Sequence, residues 1–385
     1  MASEAELLSE QPEWADLAPI PQREGVEPVV QIMYDKDYSD AMGLLRALML
    51  KGELSERALH LTSVVIFMNS AHVTVWEFRR CVLSSLNSKM RWLAELEFMH
   101  EVNEMNTKNY QLWNHRRAVL QVILPTTPVE RERNSSLRAD TMVSDHTLEK
   151  ELAHLSAVFE ADSKHYHAWA HRQWVVGRHK CWATEMELTK AMIARDVYNN
   201  SAWNHRFFVL ENRTDRREGG DKGGGGGREE SEFTLEVLHA VQCLERAPEN
   251  ESAWTFLTGF LFKSPHFLSV SAKEYSLVVE LLTKFCKVQA MAGGRKGGSS
   301  SAAGGVKCVS FEANILYLLA LRLSGLEDEG LPLWGDLAPD LDPRAQAQAA
   351  IAKWEALKGM DAVRRAAYGM KIRIAEERIL GSKSL

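Results

Sequence analysis

Three stretches of this 385-residue chain repeat one phrase: NYQLWNHRRAVL (109–120), HYHAWAHRQWVV (165–176) and NNSAWNHRFFVL (199–210). Two weaker copies, HVTVWEFRRCVL (72–83) and NESAWTFLTGFL (250–261), fall into register on Trp76 and Trp254. An Arg follows the Trp by three residues in the first four copies (Arg79, Arg116, Arg172, Arg206), whereas the fifth has Leu257. Seven residues before the Trp those four copies carry Asn69, Asn106, Asp162 and Asp196, residue types that favour turns and helix caps. A phrase in phase with itself predicts an array of one supersecondary unit.

The Trp residues stand 37, 56, 34 and 51 apart, so the natural period is about 34–37 residues, enough for one helical hairpin. Polar and Gly-rich runs account for the longer intervals. PTTPVERERNSSLRADTMVSD (125–145) and REGGDKGGGGGREESE (217–232) read as disordered insertions, as does AGGRKGGSSSAAGGV (292–306) further on. Between the Trp phrases, residues 55–68, 90–105, 147–161 and 185–198 place apolar side chains three and four apart, the spacing of an amphipathic helix. No unit alternates Val, Ile and Thr as strands do. Each unit is therefore helix A, a turn marked by Asn or Asp, and helix B beginning near the Trp. One hairpin cannot bury its own face, so the fold expected is an all-α superhelix, a solenoid over 26–385 behind a flexible tail at 1–25.

A net charge of −6 supplies no basic field, which argues against nucleic acid as a partner. The acidic start MASEAELLSEQPEW lacks the apolar core of a secretory signal. The most apolar run, ILYLLALRL (315–323), is too short to span a bilayer and reads as a buried helix. Five scattered cysteines form no CxxC pair, as expected of free thiols in the cytoplasm.

The recurring Trp is suited to filling the seam between hairpins. The Arg, on the same helical face, can lend its stem to packing and its fork to a neighbour's carboxylate or carbonyl. His115, His171 and His205 recur one per unit and do not converge on a point, so they read as hydrogen-bonded structural residues. His165, His167 and His171 lack a supporting Cys or acidic ligand, and no metal site is expected in this chain. Chemistry must then come from the rim. TKNYQLW and SKHYHAW each put a Lys and, two residues on, a Tyr at the start of a helix. Equivalent positions of a solenoid share an edge, so Lys108, Tyr110, Gln111, Lys164, Tyr166 and His167 should lie together. There, helix N-termini and added donors would suit a phosphate-bearing ligand.

KNYQLWNHRR, KHYHAWAHRQWVV and NNSAWNHRFFVL resemble the repeats of protein prenyltransferase α subunits. EWADLAPIPQREGVEPVVQIMY (13–34) and SERALHLTSVVIFMNSAHVTVWEFRRCVL (55–83) resemble the lead-in and first repeat of the α subunit shared by protein farnesyltransferase and geranylgeranyltransferase type I. The likeness runs in outline over 13–380. It implies a crescent of helical hairpins around a farnesyltransferase or geranylgeranyltransferase type I β subunit. That partner would hold the zinc that activates a substrate thiol, with magnesium expected for the holoenzyme. The reaction implied moves farnesyl or geranylgeranyl from the isoprenoid diphosphate to the Cys of a C-terminal CaaX sequence. The resemblance assigns Lys108 to the departing diphosphate, Tyr110 and His167 to its vicinity, and the Gln111 backbone carbonyl to the CaaX end. His165 departs from the pattern, since the family more often has Asn there. A non-enzymatic adaptor of tetratricopeptide type and a Rab geranylgeranyltransferase α subunit are the alternatives. The first is disfavoured because His-Arg, not Leu-Gly, follows the Trp; the second commonly lacks the WADLAPIP lead-in.

Overall fold

The computed structural model describes residues 7–22, 32–134, 141–213, 232–262, 313–314, 317, 342–360 and 364–381. Among these residues every regular element is helical. They fall into two compact units, Met1–His179 and Lys180–Leu385.

In the first unit the helices are α1 (Lys36–Lys51), α2 (Glu56–Met68), α3 (Val73–Leu86), α4 (Lys89–Met105), α5 (Tyr110–Ile123), α6 (Pro128–Arg133), α7 (Thr141–Ala161) and α8 (Tyr166–His179). The second unit contains α9 (Trp182–Arg195), α10 (Asn200–Asn212), α11 (Glu232–Arg246), α12 (Glu251–Phe262), α13 (Pro343–Met360) and α14 (Arg365–Ala375). The pairs α2–α3, α4–α5, α7–α8, α9–α10 and α11–α12 are the predicted hairpins, each with its Trp in the second helix.

The turns are made as the Asn/Asp pattern requires. Asn69, Asn106, Asp162 and Asp196 each give their N–H to the carbonyl four residues back, ending helix A. Each then accepts at its own carbonyl from the N–H three residues on, at His72, Asn109, His165 and Asn199. Helix α9 stops at Arg195, three residues before the predicted end, because the Asp196 carboxylate takes the N–H of Tyr198 at 3.0 Å in place of a further helical turn. Helix α7 starts at Thr141, earlier than the spacing indicated.

Two expectations about irregular segments need correction. The tail expected to be flexible is anchored over 7–22: Trp14 is buried, with the Arg57 guanidinium 5.4 Å from its ring centre. Arg57 also donates to the Glu13 carbonyl and to both Asp16 oxygens at 2.7–2.9 Å, and Ile20 N–H reaches the Gly43 carbonyl at 3.0 Å. Gly43 permits this approach, since a Cβ there would sit 2.8 Å from the Pro19 Cβ. The insertion at 125–145 contains α6, started by a Thr127–Glu130 capping box with Pro128 in the first turn. Glu130 also pairs with Arg178 of α8. The Gly-rich runs within 217–231 and 292–306 lie outside the described residues, as does 315–323 apart from Tyr317.

Candidate functional site

The seams explain why Arg and His travel with the Trp. Arg79 donates through Nε and Nη2 to both oxygens of Glu95 at 2.6 and 2.8 Å, and His115 Nε2 reaches the same carboxylate at 2.8 Å. Glu151 repeats the arrangement, with Arg116 at 2.8 and 2.7 Å and His171 Nε2 at 2.9 Å. In the second unit His205 Nε2 lies 2.7 Å from Glu185, and Arg206 forks onto Glu236 at 2.7 and 2.6 Å. Arg79 and Arg116 therefore clamp the carboxylate of the next hairpin, while that hairpin's own His holds the Glu from the other side. Arg206 clamps Glu236 in the same way, but no His follows Trp254 to complete that site. The fork's remaining nitrogen turns back to its own helix A: Arg79 to the Leu59 carbonyl, Arg172 to Leu152 and Arg206 to Met186, at 3.0–3.1 Å. All four Glu residues are buried. Burial alone would push the Glu95 carboxyl up, but the His115 hydrogen bond and the Arg79 charge hold it at about 2. Burial keeps His115 and His171 below the ordinary imidazole value, so Arg79 and Arg116 are the charges that keep these glutamates ionised.

Sequence reading passed over these glutamates. The available signal was spacing: Glu95, Glu151, Glu185 and Glu236 each stand eighteen residues before the Trp of their own unit.

A second stitch runs along the turns. The Trp indole N–H donates to the carbonyl six residues earlier in every copy: Trp76 to Ser70, Trp113 to Thr107, Trp169 to Ser163, Trp203 to Val197 and Trp254 to Pro248, at 2.8–3.0 Å. The residue capping the next helix B then donates to that same carbonyl. Asn109 Nδ2 reaches Ser70 O at 2.6 Å, and Asn250 Nδ2 reaches Val197 O at 2.5 Å. His165 takes this role between them. Its Nδ1 accepts the Ala168 N–H at 3.1 Å, as a capping Asn oxygen would, and its Nε2 donates to Thr107 O at 2.8 Å. That pair of bonds fixes the Nε2–H tautomer.

The rim built on these turns brings most of the predicted site residues to one edge. Lys108 is 71% exposed, its ammonium 3.3 Å from Asp162 Oδ2 across the seam. The other Asp162 oxygen accepts the Lys164 N–H at 3.0 Å, and this bond leads the effects that lower the Asp162 carboxyl. Tyr110 and Tyr166 are exposed, and both rings meet His167 edge-on, at 5.8 and 5.4 Å between centres. Burial and the neighbouring His165 lower the His167 imidazole. Gln111 gives its N–H to the Asn109 cap at 2.9 Å and is half-buried; the Lys164 side chain is exposed. Asp162 was recognised in the sequence as a turn former, not as the partner of Lys108. Behind Tyr110, Arg117 donates to the Ala170 carbonyl at 2.9 Å and lies 5.7 Å from the Trp174 ring centre.

The geometry coincides with a known repeat. The protein prenyltransferase alpha subunit repeat matches residues 92–123, 148–179 and 182–213, which are the hairpins α4–α5, α7–α8 and α9–α10. Over 272 residues the chain is 39% identical to the protein farnesyltransferase/geranylgeranyltransferase type-1 subunit alpha of Pisum sativum, covering 70% of this chain and 72% of the pea protein. The chain belongs to the protein farnesyltransferase/geranylgeranyltransferase type-1 alpha-subunit family. The type-2 alpha subunit of Saccharomyces cerevisiae is more distant, at 24% identity over 57% of this chain and 63% of that one. In fold, the type-1 alpha-subunit chain is similar to a solved structure titled Candida albicans protein geranylgeranyltransferase-I complexed with GGPP. The TM-score is 0.63 at 23% identity, covering 94% of this chain and 98% of that one.

Within this type-1 alpha-subunit chain, the described residues bring no three His, Cys, Asp or Glu side chains together as a metal would need. His165 and His171 are committed to Thr107, Ala168 and Glu151. No helix among the described residues is long and apolar enough to cross a membrane.

Proposed function

We propose that this chain is the alpha subunit of a heterodimeric protein prenyltransferase, with Lys108 acting on the isoprenoid diphosphate. The reaction breaks the bond between C1 of a farnesyl or geranylgeranyl group and its diphosphate oxygen and forms a thioether to the Cys of a CaaX terminus, releasing the thiol proton. The supporting observation is the placement of Lys108: an exposed ammonium on a turn before a helix N-terminus, beside Tyr110, Tyr166 and His167. Negative charge grows on the diphosphate as the bond breaks, so a positive group already held there lowers the barrier more than it tightens substrate binding. The Tyr hydroxyls and the His167 edge would add donors, Lys164 a second charge at the rim, and the Gln111 carbonyl an acceptor for the end of the CaaX peptide.

The partners in this reading are the farnesyltransferase and geranylgeranyltransferase type I beta subunits, in the cytoplasm. Zinc carried by the beta subunit would supply a reactive thiolate, and magnesium would offset diphosphate charge. The test is co-expression with each beta subunit, followed by transfer of labelled farnesyl and geranylgeranyl to CaaX peptides. A stable complex active with at least one pair is expected. An isolated chain that neither retains a beta subunit nor supports transfer contradicts the proposal and favours an adaptor.

A further inference from the structure

We propose that the turn Asp162–His165 is a two-point clasp that positions Lys108, with His165 as the positioning residue that sets the backbone of the lysine's turn. The inference rests on the role given to Lys108 above. His165 Nε2–H holds the carbonyl of Thr107, the residue immediately before Lys108, at 2.8 Å. Asp162 Oδ2 holds the ammonium of Lys108 itself at 3.3 Å. Both holders are themselves held: His165 Nδ1 takes the Ala168 N–H, and Asp162 Oδ1 takes the Lys164 N–H. The clasp thus belongs to the rigid start of the next hairpin and reaches back across the seam. Thr107 O is further pinned by Trp113 Nε1 at 3.0 Å, whose ring lies 5.6 Å from that of His165.

The same chain shows what the side chain must do. Asn109 and Asn250, at the equivalent position, also combine a cap acceptor with a donor to the preceding turn. An amide and an Nε2–H imidazole are therefore interchangeable here, whereas an apolar side chain of similar size supplies neither bond. Thr107 O would keep its Trp113 bond, so loss of the clasp frees the Lys108 turn without unmaking the seam.

The experiment is a double-mutant cycle in the holoenzyme with its beta subunit, reading single-turnover farnesyl transfer, the KM for the CaaX peptide and complex recovery. Lys108→Ala, His165→Leu, His165→Asn and the double variant Lys108→Ala/His165→Leu are compared. His165→Leu is expected to slow single turnover about tenfold, within the range that misplacing a catalytic group by an ångström produces, with peptide KM and assembly unchanged. His165→Asn should restore the rate to within about twofold, and the double variant should be no slower than Lys108→Ala alone. Multiplying losses, an unaffected His165→Leu, or failure of Asn to rescue would overturn the clasp. A Lys108→Ala enzyme of normal rate would instead sink the underlying role of Lys108, and the clasp with it. Should His165→Leu yield no complex, Asp162→Asn at the exposed end carries the same cycle: an effect that vanishes in the Lys108→Ala background supports the clasp, and an additive one overturns it.

Discussion

The seam and the rim of the same hairpins use charge in opposite ways. At the seam, Arg116, Glu151 and His171 are buried, fork onto one another at 2.7–2.9 Å and leave no charge exposed. At the rim, five residues before Trp113, Lys108 is exposed and meets the Asp162 carboxylate at 3.3 Å. An exposed pair of that kind contributes little to stability, while a buried clamp that loses one member leaves an uncompensated charge. The repeated Trp-x-His-Arg phrase is thus spent on folding, and the residues that vary just ahead of it are available for chemistry.

The largest effect that would break this contrast is at Glu151. Glu151→Ala strands the Arg116 guanidinium, and a loss of about 3–5 kcal/mol in chemical denaturation is expected. A loss below about 1 kcal/mol would mean the seam is not what holds these hairpins together.

Acid should attack the seam next. His115 and His171 are held below their ordinary value by burial, and burial, reinforced by Arg116, holds His154 at about 3. The unfolded chain takes up these protons below about pH 6.5 while the folded chain does not, so stability falls as pH drops from there, by up to about 1.4 kcal/mol per pH unit for each histidine. Glu95 adds its own loss only lower, between about pH 4.3 and its folded value of about 2. Denaturation midpoints at pH 7 and pH 5.5 should therefore differ, and His154→Gln should flatten the slope. Equal midpoints would count against neutral buried imidazoles.

Gly43→Ala asks whether close packing of the seam kind extends to the N-terminal arm. The added methyl meets Pro19 at 2.8 Å, so the variant should lose about 1–2 kcal/mol and admit protease near residue 20. An arm cut no faster than in the unmodified chain would show that it yields without cost.

The smallest effect compares two seams. Glu236 receives the Arg206 fork, but its unit has Phe256, whose ring centre lies 5.1 Å from that of Trp203, where the units of Glu95, Glu151 and Glu185 have His. Glu236→Ala should therefore cost about 1 kcal/mol less than Glu151→Ala, the worth of the missing His bond. Equal losses would mean that the histidine adds nothing.

The hairpins were legible because the apolar period and the Asn/Asp breaks act locally, and a turn such as Asp162–His165 is closed by its own backbone. The rim was legible because Lys108, Tyr110, Tyr166 and His167 sit at equivalent places in adjacent repeats. The glutamates were missed because an isolated Glu in a helix is indistinguishable from a solvated one until its partners, sixteen or more residues away, are known. His165 looked like a departure from the Asn at its position; only its two hydrogen bonds reveal that an imidazole can replace an amide there. Trp14 is an anchor only once Arg57 and the close approach at Gly43 are in place, neither of which composition signals. In α6 the capping box was present in the sequence but was outweighed by the polar run around it.

The most direct measurement is single-turnover farnesyl transfer by the Lys108→Ala holoenzyme, taken with its melting temperature. Removing one charged donor to a developing anion predicts a rate lowered about a hundredfold or more, with the melting temperature unchanged. A normal rate, or a rate lost only together with the melting temperature, would contradict the division between a seam that folds the protein and a rim that acts on substrate.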